Sequence, residues 1–337
     1  MSQHPGPTLA QIGEAGLLGE IFARLDAAAR PGTGTDVLVG PGDDTAYLRT
    51  SGAVLATTDT MVRGRDWLDR WSSPSDVGGK VVAQNLADLA AMGGVGTGLL
   101  VTLVAPGDLP VRWATDFADG LVAAAARAGV PVLGGDLSSS EGAVIVSVTA
   151  LGEVPGQGAV LRSGAVAGQV LAVSGPLGRS AAGLQLLRRG DDDRWPSPEV
   201  AQRAAQLVGY HCCPDPDLTQ GPIAAAAGAT AMIDVSDGLV RDGGRIAKAS
   251  GVRIELDADA LTALAEPLAQ VLGAQSALDC VLSGGEEHVL LATMEAGAVP
   301  PGWTTIGTVT AAQGGPGPGV WWRGEQATGG GWDHFGG

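Results

Sequence analysis

Residues 143–168 read AVIVSVTALGEVPGQGAVLRSGAVAG, and this stretch divides the chain. Its first part, residues 143–151, is an apolar run rich in Val, Ile and Thr, which is typical of a strand. Its second part, residues 152–168, is rich in glycine and contains proline. These residues interrupt regular structure and permit an exposed crossing between domains. We therefore predict an N-terminal domain over residues 1–151 and a C-terminal domain over residues 152–337.

Strand-like and helix-like segments alternate on both sides of this connection. On the N-terminal side the patterns predict strands at residues 45–48, 53–57, 99–104, 130–133 and 143–151, and helices at 8–30, 76–92 and 113–128. On the C-terminal side they predict strands at residues 170–173, 231–233, 252–256 and 288–293, and helices at 179–189, 198–208, 237–250 and 261–271. Such alternation indicates the α/β (α+β) class.

The composition restricts the partners and the compartment. Among 337 residues, 36 Asp and Glu stand against 20 Lys and Arg, giving a formal net charge of -16. This balance repels nucleic-acid backbones and anionic membranes, so we expect neither as a partner. Cys212, Cys213 and Cys280 are too few for a disulfide framework. Because the sequence shows no export signal and no apolar run long enough for a bilayer, we expect a cytoplasmic protein.

Aspartates recur beside small residues at predicted turns and strand ends. They lie in PGDDTA, ATTDT, QNLADLAAMG, LGGDLSSS and IDVSDGL, as Asp43, Asp44, Asp59, Asp88, Asp136, Asp234 and Asp237. Gathered carboxylates repel one another unless cations lie between them, and Mg²⁺ prefers oxygen ligands. The recurrence therefore indicates a phosphate site with several metal ions. The alternative is that each aspartate only closes a turn or caps a helix.

Two further features each allow two interpretations. Lys80, Gln84 and Asp88 are four residues apart and share one helix face, which either faces solvent or directs Asp88 into a cleft. Gly134 and Gly135 follow an apolar strand, where they either bring backbone N–H groups close to an anion or only form a turn.

The phosphate-binding motifs of common nucleotide enzymes are missing from the sequence. The chain has no GxxxxGK[ST] segment, and its lysines are Lys80 and Lys248. Ser236 precedes a predicted helix that starts near Asp237, where its hydroxyl would cap the helix or bind a ligand. Any phosphate handled by this chain would therefore depend mainly on metals and on the backbone.

These motifs, in this order, resemble the thiamine-monophosphate kinase family of the aminoimidazole ribonucleotide synthetase-like superfamily. The resemblance runs nearly end to end and is carried by GPGDDTA, ATTDTMV, AQNLADLAAMG, IDVSDGLVRD, LSGGEEHVLL and a terminal GWDHF. It implies a two-domain fold with a mixed N-terminal sheet flanked by helices and a C-terminal α/β domain. The first domain would bind metal and ATP and form a homodimer, and the second would bind substrate and nucleotide. The implied reaction is ATP-dependent phosphorylation of thiamine monophosphate to thiamine diphosphate.

The resemblance also implies roles for individual residues. Several Mg²⁺ ions would be held by Asp44, Thr57, Thr58, Asp59, Asp88, Asp136, Asp234 and Asp237. Of these, Asp88, Asp234 and Asp237 would be catalytic. The co-substrate ATP would be contacted by Gly135, Asp136, Arg162 and Ser236. The substrate would be contacted by Asp66, Glu286 and Trp332.

The sequence departs from the family pattern at two places, and two rival functions stay open. Asp66 stands where many family members carry His, and the usual GGED reads GGEE with Glu287 last. One rival is another ATP-using member of the superfamily. Selenophosphate synthetase would carry a reactive Cys near its N-terminus, whereas the first Cys here is Cys212. The other rival is a non-catalytic protein that binds nucleotide or thiamine phosphate.

Overall fold

The computed structural model describes residues 6–27, 36–39, 45–156, 158–190, 195–312 and 317–327. The chain divides into two compact units, one of Met1–Leu89 with Gly96–Glu153 and the other of Ala90–Val95 with Val154–Gly337. Both combine helices with sheets, which confirms the predicted class. The division after Glu153 falls within the glycine-rich stretch 152–168. No helix in the described ranges is both long and apolar enough to cross a bilayer.

The first unit is built on a four-stranded sheet. Its helices are α1 (Leu9–Ala27), α2 (Pro74–Ala90) and α3 (Val111–Ala128), and its strands are β1 (Asp36–Val39), β2 (Tyr47–Arg49), β3 (Val54–Val62), β4 (Val95–Ala105), β5 (Val132–Ser139) and β6 (Ile145–Glu153). The sheet order is β3-β6-β4-β5, while β1 and β2 form a separate antiparallel pair. Because β3 pairs antiparallel with β6 and β4 pairs parallel with β5, the sheet is mixed, as predicted.

The two faces of this sheet differ in burial. Along β6, Val146, Val148 and Ala150 are fully buried and alternate with partly exposed residues. A period of two places alternate side chains on opposite faces, so one face of β6 belongs to the core. On the other strands, Val54 is 47% and Leu100 38% exposed. The sheet therefore keeps apolar side chains exposed in the single chain.

Helices α2 and α3 approach each other through glycine. A Cβ on Gly78 would lie 2.3 Å from the Phe117 carbonyl oxygen, and one on Gly120 would lie 2.0 Å from the Ser75 carbonyl oxygen. The backbones therefore touch at positions where only glycine fits. Lys80 on α2 is 2% exposed, so the interpretation of its helix face as simply solvated is wrong.

The second unit is built on a seven-stranded sheet of order β13-β12-β9-β11-β7-β10-β8. Its strands are β7 (Val170–Val173), β8 (Ala231–Asp234), β9 (Val252–Leu256), β10 (Leu290–Met294), β11 (Thr304–Ala311), β12 (Gly319–Trp322) and β13 (Glu325–Gln326). Its helices are α4 (Arg179–Arg189), α5 (Pro198–Cys212), α6 (Gln220–Ala226), α7 (Leu239–Ser250), α8 (Ala258–Leu272) and α9 (Ala274–Ser283). Strand β10 is buried along its whole length and pairs antiparallel with both β7 and β8. The loops at its N-terminal end therefore lie beside the C-terminal end of β8.

Three local predictions are wrong. Gly134 and Gly135 lie inside β5 rather than in a turn. Helix α7 starts at Leu239 with Gly238 as its N-cap and no side-chain cap, so Ser236 does not cap it. Strand β10 starts at Leu290 and not at residue 288, because His288 has a φ of 58°, outside the β region.

The glycine contact between α2 and α3 makes a stability prediction. Gly120→Ala should lower the free energy of unfolding by about 1–3 kcal/mol, because the added methyl group overpacks against the Ser75 backbone. Gly19→Ala in α1 is the control, since nothing lies within 4 Å of a Cβ there. It should raise the free energy by about 0.5–1 kcal/mol. Urea unfolding measures both, and equal effects would contradict the close contact.

Candidate functional site

In the first unit, α2 is joined to β3 by polar side chains. The Thr57 hydroxyl donates to Asp88 Oδ2 over 2.7 Å, and the Asp59 backbone N–H donates to Asn85 Oδ1 over 3.1 Å. Asn85 is completely buried, and its amide donates to the Val81 carbonyl one turn earlier. These bonds fix the helix against the strand. They bring the Thr57 hydroxyl to the Asp88 carboxylate and hold the Asp59 backbone against the same helix.

Two other predicted ligands of this unit lie elsewhere on the sheet. Thr58 follows Thr57 in an extended strand, so its side chain points to the opposite face. There its hydroxyl donates to the Val148 carbonyl over 3.0 Å. Asp136 is exposed on β5, where it is in register with Thr102 of β4. The structure therefore does not bring Thr58 to the face that holds Asp88.

Gly135 and Asp66 have local structural roles in the same unit. A Cβ on Gly135 would lie 1.9 Å from the Val101 carbonyl oxygen of β4, so the glycine allows close strand pairing. The Asp66 carboxylate accepts the Val62 backbone N–H over 2.7 Å and closes the turn that follows β3. Each of these contacts accounts for the residue without a ligand.

In the second unit, the turn after β8 is organised by a buried carboxylate. Asp242 is 0% exposed, and its Oδ2 accepts the backbone N–H groups of Ser236, Asp237 and Gly238 at 3.1, 2.9 and 3.0 Å. The residue lies in the first turn of α7 and reaches back to the three N–H groups that precede the helix. Burial raises the pKa of Asp242 to about 6, although the Asp237 N–H opposes the shift. The role of Asp242 was not predicted, because a helix starting near Asp237 would place this residue beyond the first turn, whereas the helix starts at Leu239.

Arginines neutralise the exposed side of this turn. Arg245 donates to Asp242 Oδ1 and to Asp237 Oδ2, both at 2.5 Å, and Arg241 Nε lies 3.7 Å from Asp237 Oδ2. The Asp237 carboxylate is thus shared between two guanidinium groups. Asp234, at the end of β8, is 3% exposed, and its Oδ2 lies 3.2 Å from His288 Nδ1. Each predicted carboxylate of this turn therefore has a definite orientation.

The loop that precedes β10 folds back onto the same turn. The Glu286 backbone N–H donates to the Ser236 carbonyl over 2.7 Å. The backbone N–H groups of Glu287 and His288 both donate to the Val235 carbonyl, over 3.1 and 2.9 Å. This pairing brings Glu286 beside Ser236, two residues that the sequence assigns to substrate and to ATP.

Arg162 lies in a different loop of the second unit. It is exposed, and its carbonyl accepts the Ser250 hydroxyl over 3.3 Å. The same hydroxyl accepts the backbone N–H groups of Gly164 and Ala165, both over 3.1 Å. These hydrogen bonds fix the loop that contains Arg162 to the C-terminal end of α7, while the Arg162 side chain is exposed.

The oxygen donors of both units fit a magnesium ion. Within the described ranges, no group of three or more His, Cys, Asp or Glu side chains is gathered closely enough to hold a metal. Mg²⁺, however, is usually held by one or two carboxylates together with water and substrate phosphates. Asp88 beside Thr57 and Asp234 near Asp237 supply donors of this kind. Asp43, Asp44 and Trp332 lie outside the described residues.

Comparisons with known proteins agree with these features. Residues 42–154 match the family model for the N-terminal domain of AIR synthase related protein, and residues 166–316 match the model for its C-terminal domain. A thiamine-monophosphate kinase of Mycobacterium tuberculosis is 45% identical, over 98% of this chain and 94% of that protein.

Solved structures give the same result. The crystal structure of thiamine-monophosphate kinase from Stenotrophomonas maltophilia has a TM-score of 0.76 and 31% identity, and the match covers 92% of this chain and 96% of that one. A structure described as AaThiL complexed with AMPPCP and TMP has a TM-score of 0.74 and 30% identity, with 99% and 100% coverage. With both domains matched and nearly the whole length similar, this chain belongs to the thiamine-monophosphate kinase family.

Proposed function

We propose that this chain transfers the γ-phosphoryl group of ATP to thiamine monophosphate, giving thiamine diphosphate and ADP. The observation that carries the proposal is the 45% identity to a thiamine-monophosphate kinase over 98% of the chain. The solved relative complexed with AMPPCP and TMP supports both substrates. The arrangement of oriented carboxylates in each unit is suited to phosphoryl transfer.

The reaction needs no general base on the protein. The second pKa of a phosphate monoester is about 6, so near neutral pH the attacking oxygen is already ionised. The remaining tasks are alignment of the two phosphates and neutralisation of their charge. Two contacts support such roles for the carboxylates: a hydrogen bond from Thr57 fixes Asp88 against β3, and His288 adjoins Asp234.

We propose that the carboxylates act through Mg²⁺. When bound, the metal would neutralise the phosphate oxygens and hold them in line for transfer. In the first unit Asp88, Asp59 and Thr57 would hold Mg²⁺ ions, with Asp44 and Asp136 as further predicted ligands, whereas the Thr58 side chain faces away from Asp88. In the second unit Asp234 and Asp237 would do so, and Arg241 and Arg245 keep Asp237 oriented.

In the second unit we propose nucleotide and substrate contacts in three segments: the turn after β8, the loop before β10 and the loop that contains Arg162. Ser236 and Arg162 are the proposed ATP contacts of this unit, and Gly135 and Asp136 are those of the first unit. Glu286, beside Ser236, is proposed to contact the cationic thiamine end of the substrate, because a carboxylate attracts that charge. The Trp332 side chain would stack on the flat, cationic rings at the thiamine end of the substrate. Asp66 is a further proposed substrate contact.

We further propose a homodimer in the cytoplasm. The apolar side chains on the sheet of the first unit, such as Leu100 and Val54, support a dimer, because a partner would cover them. Three cysteines in 337 residues are too few for a disulfide framework, which fits a reducing compartment.

The most direct test of the function is product analysis. Purified protein incubated with ATP, Mg²⁺ and a panel of small phosphates should form thiamine diphosphate and ADP with thiamine monophosphate alone. Formation of AMP, or of inorganic phosphate without thiamine diphosphate, would identify a different superfamily activity. Binding without turnover would identify the non-catalytic alternative.

The role of the carboxylates makes a second prediction. Asp88→Asn and Asp234→Asn should each lower kcat at least about 100-fold, because each removes negative charge that balances the metal and phosphates. Asp119→Asn is the control, since Asp119 is an exposed residue of α3 that pairs with Arg24. It should leave kcat unchanged. Full activity in both test variants would show that these aspartates only support local structure.

The dimer makes a third prediction. Sedimentation should give twice the 33.6 kDa chain mass for the wild type. Leu100→Glu should give the single-chain mass, because a buried charge opposes association. Val166→Glu is the control, as Val166 is 58% exposed and belongs to the second unit. A wild type that sediments as a single chain at micromolar concentration would refute the dimer.

A further inference from the structure

A buried cluster of side chains surrounds Glu287 in the second unit. Glu287 is 0% exposed, its Oε1 accepts Arg179 Nε over 2.6 Å and its Oε2 accepts the Ser180 backbone N–H over 3.2 Å. Tyr210 donates its hydroxyl to the Glu287 backbone carbonyl over 2.6 Å, and the Arg179 guanidinium lies 3.6 Å from the Tyr210 ring centroid. The cluster thus holds both the side chain and the backbone of Glu287.

The backbone around Glu287 has an unfavourable conformation. Glu286 and His288, on either side of it, have φ angles of 55° and 58°. Residues other than glycine adopt this left-handed region only at an energetic cost. Such a conformation persists only where neighbouring interactions stabilise it. The bonds to Glu287 supply that stabilisation from α4 and α5, which lie far from this loop in sequence.

The same two helices also contact the Glu286 side chain. Glu286 Oε2 lies 3.4 Å from His211 Nδ1 and 3.5 Å from Ser180 Oγ, and these two atoms are 3.0 Å apart. The Glu286 side chain remains 38% exposed. One carboxylate oxygen is therefore directed by α4 and α5, while part of the group stays accessible to a ligand.

We propose that Tyr210 is a positioning residue for substrate recognition: its hydrogen bond to the Glu287 carbonyl fixes the loop conformation that presents Glu286 to the cationic end of the substrate. This inference rests on the proposed function, in which Glu286 contacts thiamine monophosphate. Tyr210 acts through Glu286, since its hydroxyl is committed to the backbone. Burial raises the pKa of Tyr210, so the hydroxyl keeps its proton and remains a donor.

A double-mutant cycle tests the proposal. Calorimetry would measure the Kd of thiamine monophosphate, and separately of a non-hydrolysable ATP analogue, for wild type, Tyr210→Phe, Glu286→Ala and the double variant. Tyr210→Phe should weaken thiamine monophosphate binding ~3–10-fold, the amount expected for one lost hydrogen bond. In the Glu286→Ala background the same change should have an effect below about twofold, because no carboxylate remains to be oriented. Binding of the ATP analogue should change less than about twofold in every variant.

Thr230→Val is the matched control. Like Tyr210→Phe, this change removes one hydrogen-bonding hydroxyl from the second unit. The Thr230 hydroxyl bonds to Gln169 and to the Thr293 carbonyl, outside the loop before β10. It should leave both dissociation constants unchanged.

Each remaining outcome contradicts a specific claim. Additive effects of Tyr210→Phe and Glu286→Ala, or equal weakening of both ligands by Tyr210→Phe, would overturn the positioning role. A wild-type protein that fails to bind thiamine monophosphate would instead overturn the proposed function and this inference with it. The two failures are distinguishable, because only the first occurs with a wild type that binds its substrate.

Discussion

The buried carboxylate of Asp242 is the constraint on which the second unit depends. A buried charge without partners costs several kcal/mol, so this group requires donors around it. The three N–H groups of residues 236–238 and Arg245 provide them. The three N–H groups converge on Oδ2 while Arg245 binds Oδ1, and this arrangement fixes the turn after β8. This turn then orients Asp237, and its Val235 and Ser236 carbonyls accept hydrogen bonds from the loop that carries Glu286. Two segments of proposed function thus depend on one side chain that has no proposed contact with substrate.

In the first unit, too, a buried polar side chain fixes a segment that carries predicted site residues. Asn85 is completely buried on α2, and its amide joins the helix to β3 through the Asp59 backbone. The Thr57 hydroxyl then meets Asp88 three residues further along the helix. Glycine at the contact with α3 allows α2 to pack closely on its other side. In each unit, therefore, a buried polar residue that was not itself predicted as a site residue, Asn85 or Asp242, fixes the segment that carries the predicted aspartates.

Much of the fold follows from sequence patterns, because local periodicity and helix-ending residues act over short distances. The bounds of β7, α4 and β9 are as predicted, and each of these elements has a clear apolar pattern. The start of α7 was predicted two residues early because Ser236 does not cap the helix; the Asp242 carboxylate instead holds the backbone of the preceding turn in a non-helical conformation. The start of β10 was predicted early because tertiary bonds hold His288 in a left-handed conformation.

The candidate site was predictable only in part, for a similar reason. Asp88 and Asp234 can be identified from the sequence, because each lies within a motif of consecutive residues. The partners that orient the loop before β10 are not contiguous: Arg179 and Tyr210 are separated from Glu287 by 108 and 77 residues. No local pattern reveals such pairs. The face on which Thr58 lies was also missed, although strand alternation alone separates it from Thr57.

The most direct measurement of the central claim is transfer of label from ATP carrying ³²P in the γ-phosphate. In a single turnover with thiamine monophosphate and Mg²⁺, the label should appear in the terminal phosphate of thiamine diphosphate, in amounts equal to the ADP formed. Label released as inorganic phosphate, with no labelled thiamine diphosphate, would contradict the account.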